Sequence, residues 1–245
     1  MTVPITGKSL STGREHDEKM DRKGLFITFE GPDGAGKTTQ IGRLAAELEN
    51  RHIPYILTHE PGGTDIGDQI RKIILNPEYY RLTQKAEILL YAASRSQHVE
   101  EKIRPALVQG KIVLCDRFID ASIAYQGYGL GQPIEMIRSI NRFVSEGLTP
   151  DRTYMIDIAP EAGRSRLRER SGSPEKGVTE AAGDLDRIEQ RELDYHRRVR
   201  EGFLTLCREN KQRICLINGE DSADTVFDHI LKDFHHFLAG YMQKR

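Results

Sequence analysis

Long apolar runs, paired cysteines and an excess of charge of either sign are what this 245-residue chain lacks. No stretch approaches the roughly eighteen consecutive apolar residues of a membrane-spanning helix, and the N-terminus has no apolar core of a secretory leader. A cytoplasmic location with no membrane partner is therefore the expectation. The three cysteines, Cys115, Cys207 and Cys215, lie far apart with no C-x-x-C pair. That excludes a disulfide framework and fits reduced thiols, with Cys115 buried in an apolar run. A formal net charge of −1 offers no broadly basic surface, so no nucleic-acid partner is expected. The length allows one large domain or two small ones.

What is present is a glycine-rich turn between a strand and a helix. Leu25-Phe26-Ile27-Thr28-Phe29-Glu30 reads as a buried strand, and Gly31-Pro32-Asp33-Gly34-Ala35-Gly36-Lys37-Thr38 is a full G-x-x-x-x-G-K-[ST] match. Ile41, Leu44, Ala45 and Leu48 then keep helical spacing over residues 39–51. Strand, turn and helix in this order are the setting of a P-loop. Its backbone N–H groups close around phosphates, helped by the positive end of the helix, whose first turn includes Thr39. Lys37 is placed to reach the β- and γ-phosphates of ATP, and the Thr38 hydroxyl to ligate Mg²⁺. The triplet Gly7-Lys8-Ser9 is a decoy, since Thr2 occupies the position of the first glycine and no strand precedes it.

Residues 1–22 are polar and aperiodic and read as a mobile extension, leaving 23–245 as a single domain. Further strands are expected at 54–58, 112–116, 153–157 and 214–218. Helices are expected at 66–75, 83–107, 133–146, 184–209 and 223–241. The helix at 66–75 carries Ile66, Ile70, Ile73 and Ile74 on one face, and the helix at 83–107 reads as largely buried and bent or ended by Pro105. Five apolar strands alternating with helices imply a three-layer α/β fold, a parallel sheet with helices on both faces.

A P-loop alone does not separate kinases, GTPases, motors and ATPases. Asp116 closes the strand 112–116 as a Walker-B acid does, so it is a candidate Mg²⁺ ligand with Thr38, or simply a cap for the next turn. Arg117 follows it directly. Guanine recognition would need Asn-Lys-x-Asp, and the one Asn-Lys, Asn210-Lys211, continues as Gln212-Arg213. Arg164, Arg166, Arg168 and Arg170 alternate along a helix start and lead into a polar stretch at 171–183. Such a run is ordinarily a solvated face. Beside a P-loop it also describes a lid, here about 162–184, that closes on the phosphates and supplies positive charge. These residues describe a small-molecule kinase, with a catalytically silent nucleotide-binding module as the alternative.

The combination resembles thymidylate kinase, which phosphorylates dTMP with ATP. The resemblance runs from about Leu25 to the C-terminus and rests on Glu60-Pro61-Gly62-Gly63-Thr64, Asp116-Arg117-Phe118, Ala124-Tyr125-Gln126-Gly127 and Leu185-Asp186-Arg187-Ile188-Glu189. It implies that Asp33 accepts a hydrogen bond from the deoxyribose 3′-OH and that Arg71 and Arg117 grip the 5′-phosphate. It implies that Tyr91 stacks on thymine, although an aromatic there could equally be core. Arg95, one turn on, then donates to a base carbonyl, and Ser122 meets the base edge or serves a turn. Tyr125 crowds C2′ and disfavours a ribose 2′-OH.

One subclass of the family carries an arginine where this chain has Gly34. The chain looks like the other subclass, common in bacteria, which brings that arginine from the lid. Arg170 is the best match, with Arg166 and Arg168 beside it. His59 stands where an arginine often precedes Glu60, and Tyr91 replaces a usual Phe. The family also implies a homodimer, through the long helix around Ala86 to Val99. A kinase for another (deoxy)nucleotide remains the alternative enzyme.

Overall fold

Every residue of β1 (Leu25–Glu30) is buried, as a strand covered on both faces must be. It is the middle of a five-stranded parallel sheet with order β2-β3-β1-β4-β5, in which β2 is Tyr55–His59, β3 Ile112–Asp116, β4 Arg152–Asp157 and β5 Ile214–Asn218. The computed structural model describes residues 24–171 and 185–243, apart from the side chains at positions 170, 171, 242 and 243. The expected N-terminal extension, most of the polar lid stretch and the Arg170 side chain thus lie outside the described residues.

Helix α1 (Lys37–Asn50) follows β1, and α2 (Asp65–Leu75) and α3 (Gln84–His98) follow β2. A π turn, Val99–Ile103, carries α3 on into α4 (Arg104–Val108). After β3 come α5 (Ile119–Ser122), a run of wide π turns at Ile123–Gly129, and α6 (Ile134–Val144). Helices α7 (Pro160–Ser171) and α8 (Leu193–Glu209) lie between β4 and β5, and α9 (Ala223–Gln243) ends the chain.

Successive β1 side chains point to opposite layers. Leu25, Ile27 and Phe29 pack with Ile41, Leu44 and Leu48 of α1 and Ile230 and Phe234 of α9. Phe26 turns the other way, onto Val99, Ile103 and Leu107. Burial of each such side chain contributes about 1.5–3 kcal/mol. A third cluster joins Tyr125 to Tyr195, Val199 and Phe203 of α8. Cys115 is buried as expected, and all three cysteines are free. Among the described residues no helix is long and apolar enough to cross a membrane.

Several helical expectations need correction. Pro105 does not end its helix: the π turn before it widens the coil, which accommodates a ring that would otherwise strike the carbonyl four residues back. That helix is also not largely buried, because Leu89 is 61% exposed while Ile88 is buried. On α2, Ile74 is buried but Ile66 and Ile73 face outward, so the four isoleucines do not share one buried face. The helix expected from 184 starts only at Leu193. The Asp186 carboxylate accepts from the N–H groups of Ile188 and Glu189 at 2.8 Å each, a local alternative to helix that aspartate favours.

Candidate active site

Phe29 of β1 lies in register with Asp116 of β3, so the loop leaving β1 and the turn leaving β3 emerge side by side. The strand order reverses at this point, with β2 and β3 to one side of β1 and β4 and β5 to the other. Ligands of open parallel sheets gather at such a switch, at the carboxyl ends of the strands. A cleft of about 750 Å³ opens there.

The P-loop forms its floor. Gly36 caps α1 with φ +89°, a left-handed conformation open to glycine. Gly34 (φ +78°) packs against the backbone of Gly163 in α7, where an added Cβ would come within 2.8 Å of the Gly163 carbonyl carbon. No side chain fits at position 34, and the helix bearing the lid arginines rests directly on the loop. Lys37 Nζ donates to the carbonyls of Gly31 (3.1 Å) and Pro32 (2.8 Å). Burial, aided by the charge of Arg117, brings its ammonium down to about 8.

Thr38 Oγ1 donates to Asp116 Oδ2 at 3.2 Å. The second oxygen, Asp116 Oδ1, is buried with no hydrogen-bond partner. A hydroxyl and an unsatisfied carboxylate oxygen side by side are the hard donors that Mg²⁺ takes together with substrate phosphates. Among the described residues no group of three or more His, Cys, Asp or Glu side chains could hold a metal, so an all-protein metal cage is not what these residues form. The two expected ligands fit the ion.

Arg117 has φ +69°, an uncommon conformation for a side-chain-bearing residue, costing on the order of 1 kcal/mol. Its own N–H donates to Phe29 O at 2.9 Å, and the next N–H, of Phe118, donates to Glu30 Oε1 at 2.7 Å. The turn is therefore pinned on both sides by β1. The guanidinium reaches back, with Nη1 on Gly31 O at 2.9 Å and Nη2 on Asp33 Oδ1, and lies 4.9 Å over the Tyr125 ring. Tyr125 donates its hydroxyl to Asp33 Oδ2 at 2.8 Å. Burial alone would raise the Asp33 carboxyl, but Arg117, Lys37 and the Tyr125 hydroxyl together hold it below the usual carboxylate range. For Glu30 burial and the nearby Asp120 outweigh the pull of Arg117, the Phe118 N–H and Lys37, and push its carboxyl up to about 8.

Most of the expected site residues meet in this cleft. Asp33, Gly34, Gly36, Lys37, Thr38 and Thr39 line it with Arg71, Tyr91, Arg95, Asp116, Arg117, Ser122, Tyr125 and Arg166. Arg71 Nη1 donates to Pro61 O at 2.9 Å. Arg95 is 2% exposed. Its nitrogens are engaged by Glu60 (2.8 Å), Ser122 Oγ (2.9 Å), Asn141 Oδ1 (2.6 Å) and Phe118 O (2.9 Å). Arg166 donates to Gly219 O at 3.0 Å, tying α7 to the loop after β5. Arg168 is exposed and outside the cleft lining.

Four further polar residues of the cleft were given no role by their motifs: Glu60, Gln126, Asp186 and Glu189. Each belongs to a motif quoted above. A polar residue inside a glycine-punctuated or Asx-turn loop was the available signal.

Residues 29–230 match the thymidylate kinase family model. The thymidylate kinase of Exiguobacterium sibiricum is 50% identical over 91% of this chain and 97% of its own length. That of Carboxydothermus hydrogenoformans is 45% identical over 89% of this chain and all of its own. A crystal structure of thymidylate kinase from Ehrlichia chaffeensis superposes with a TM-score of 0.65 at 32% identity, covering 86% of this chain and 98% of that one. With the P-loop, the Asp116-Arg117 turn and the residues expected to bind substrate in one cleft, and with this similarity along nearly its whole described length, the chain belongs to the thymidylate kinase family.

Proposed function

We propose that the cleft transfers the γ-phosphoryl group of ATP to the 5′-phosphate of dTMP, giving dTDP and ADP. The observation that carries this reading is the bonding of Arg117 to the P-loop itself, through Gly31 O and Asp33. The arginine assigned to the acceptor phosphate and the loop assigned to the donor phosphates form one hydrogen-bonded unit. Two anions brought to it meet with their repulsion already offset, which is what phosphoryl transfer needs from a protein. The dTMP phosphate is itself the nucleophile, so no side chain is required as general base.

The roles are those the family resemblance implies, supported by the gathering of most of these residues in one cleft. Gly31, Pro32, Gly34, Ala35, Gly36 and the start of α1 cradle the ATP phosphates, and Lys37 exchanges its two carbonyl partners for phosphate oxygens. Thr38 and Asp116 would hold Mg²⁺, which would supply charge neutralisation to the phosphates. Arg71 meets the dTMP phosphate from α2. Tyr91 stacks on thymine, with Ser122 at the base edge and Arg95 sharing one of its engaged N–H groups with a base carbonyl. Asp33, held ionised, accepts the 3′-OH, and the Tyr125 ring crowds C2′. Arg166 serves the ATP side from α7, and Arg170 is assigned to the transferring phosphoryl.

We also propose a homodimer. Ile66 and Ile73 of α2 and Leu89 of α3 are 55%, 41% and 61% exposed on two helices packed together, a grouping that a second copy would cover.

A coupled ADP-release assay across dTMP, dUMP, dGMP, UMP and thymidine tests the substrate assignment. Turnover should be highest with dTMP. Faster turnover with a purine or ribose acceptor, or none with any, would overturn it.

A further inference from the structure

The loop Glu60–Gly63 is held by β3 and α2, through Glu60 N on Asp116 O and Gly63 N on Asp68 Oδ1, both at 2.9 Å, and by one face of α3 and its continuation. Gly62 N donates to Ser94 Oγ at 2.9 Å, and Lys102 Nζ to Gly63 O at 2.9 Å. Between these lies His98, wholly buried. His98 Nδ1 sits 3.0 Å from Glu60 Oε1, and its Nε2 sits 2.7 Å from Thr58 Oγ1. Facing a carboxylate, Nδ1 carries a proton and donates it, and the Thr58 hydroxyl can complete the ring's needs at Nε2. Gly63 keeps this arrangement open: at φ +85°, an added Cβ would lie 2.7 Å from Thr58 Oγ1 and 2.8 Å from His98 Nε2.

Two of the three arginines assigned to dTMP, Arg95 and Arg71, hang from this loop. Glu60 Oε2, the oxygen not taken by His98, accepts from Arg95 Nε at 2.8 Å. Pro61 O, the next carbonyl, accepts from Arg71 Nη1 at 2.9 Å. His98 itself touches neither the cleft nor either arginine.

We infer that His98, backed by Thr58, is a positioning residue for dTMP: through Glu60–Pro61 it sets Arg95 and Arg71 where base and phosphate are gripped. A supporting residue whose loss lets its dependents drift weakens the interactions they make. The donor phosphates are held by the P-loop, on a different strand end, and do not depend on this relay. The inference rests on the assignment of Arg71 and Arg95 to dTMP.

The test is steady-state kinetics on folded protein, varying dTMP and ATP separately. His98→Leu should raise the dTMP KM about tenfold while the ATP KM and kcat stay within about twofold. His98→Asn, whose amide N–H can replace Nδ1, should return the dTMP KM to within about threefold of wild type. Thr58→Val, which removes only the hydroxyl, should raise the dTMP KM about threefold and also decides the matter if His98→Leu does not fold. An unchanged dTMP KM in the folded variants, a parallel rise in the ATP KM, or no rescue by asparagine would overturn the inference. Arg71→Ala is measured alongside. If that variant leaves the dTMP KM unmoved, the assignment of the acceptor site fails. If it raises the dTMP KM and the His98 and Thr58 variants do not, only the relay fails.

Discussion

Arg117 and Asp33 are 84 residues apart in the chain and joined by a charged hydrogen bond in the cleft. The bond crosses from the end of β3 to the loop after β1, so it links the proposed acceptor grip to the proposed donor cradle. Tyr125 adds a second bond to the same carboxylate and a ring face to the same guanidinium. A single displaced member of this trio therefore disturbs all three.

Arg117→Ala should lower kcat/KM for dTMP by about 100- to 1000-fold, on the order of 3–4 kcal/mol of transition-state stabilisation. The sheet should survive, because the turn is pinned by backbone bonds and Glu30 rather than by the guanidinium. Near-normal turnover with dTMP, in protein whose circular dichroism matches wild type, would remove Arg117 from the mechanism.

Tyr125 separates two effects in one side chain. Tyr125→Phe keeps the ring and loses the bond to Asp33, so discrimination against a ribose acceptor should persist while the dTMP KM rises about tenfold, about the loss of one hydrogen bond to a charged group. Tyr125→Ala removes the ring as well, and the preference for dTMP over its ribose counterpart should fall by about tenfold or more. Equal selectivity in wild type and Tyr125→Ala would show that crowding at C2′ comes from elsewhere.

The lid arginines should divide by step. Arg166, already bonded to the loop after β5, is expected to serve ATP, so Arg166→Ala should raise the ATP KM several-fold, roughly the effect of one charged contact. Arg170→Ala should instead depress kcat by about 100-fold with little change in the dTMP KM. A rise in the dTMP KM alone would reassign Arg170 to substrate gripping.

The sheet is legible because its strands are short apolar runs closed by acids or turn residues. β1, β3 and β5 occupy the expected positions, β2 is shifted along the chain by one residue, and β4 begins one residue earlier than expected. The P-loop declares itself in the same way, as local chemistry between two periodic segments. The segment Ile119–Gly129 stays hidden because its wide turns do not repeat at the α-helical spacing that reveals an amphipathic helix. Burial along α2 and α3 is misjudged for a different reason. An apolar side chain such as Leu89 looks the same in sequence whether the chain's own core covers it or nothing does. His98 and Glu60 show a further limit, since their pairing spans 38 residues and only the fold brings them together.

The exposed apolar residues on α2 and α3 give the oligomer prediction. Leu89→Glu places a charge at the centre of the proposed contact and should shift sedimentation from dimer to monomer, with secondary structure unchanged because Leu89 is outside the core. Wild-type protein sedimenting as a monomer at micromolar concentration would count against the dimer.

Glu30 gives the pH prediction, and its sign follows from where its proton sits. Its carboxyl titrates at about 8 when folded, against 4.5 without the fold. Between these values the native chain keeps a proton that the unfolded chain has released. Stability from this group is therefore fully present below 4.5 and lost as the pH rises through 8. Glu30→Gln keeps the acceptor for Phe118 N–H and stays neutral throughout, so it mimics the protonated acid. Thermal melts of the two proteins should nearly coincide at the acid end of this window. At about pH 8.5 the Gln variant should melt higher by about 5 °C or more, since each kcal/mol is worth about 2–4 °C in a chain of this size. Melting curves that stay parallel across the whole range would mean that Glu30 is ionised in the fold, and that the buried oxygen left without a partner, Glu30 Oε2, is stabilised by the positive charges of Arg117 and Lys37 instead.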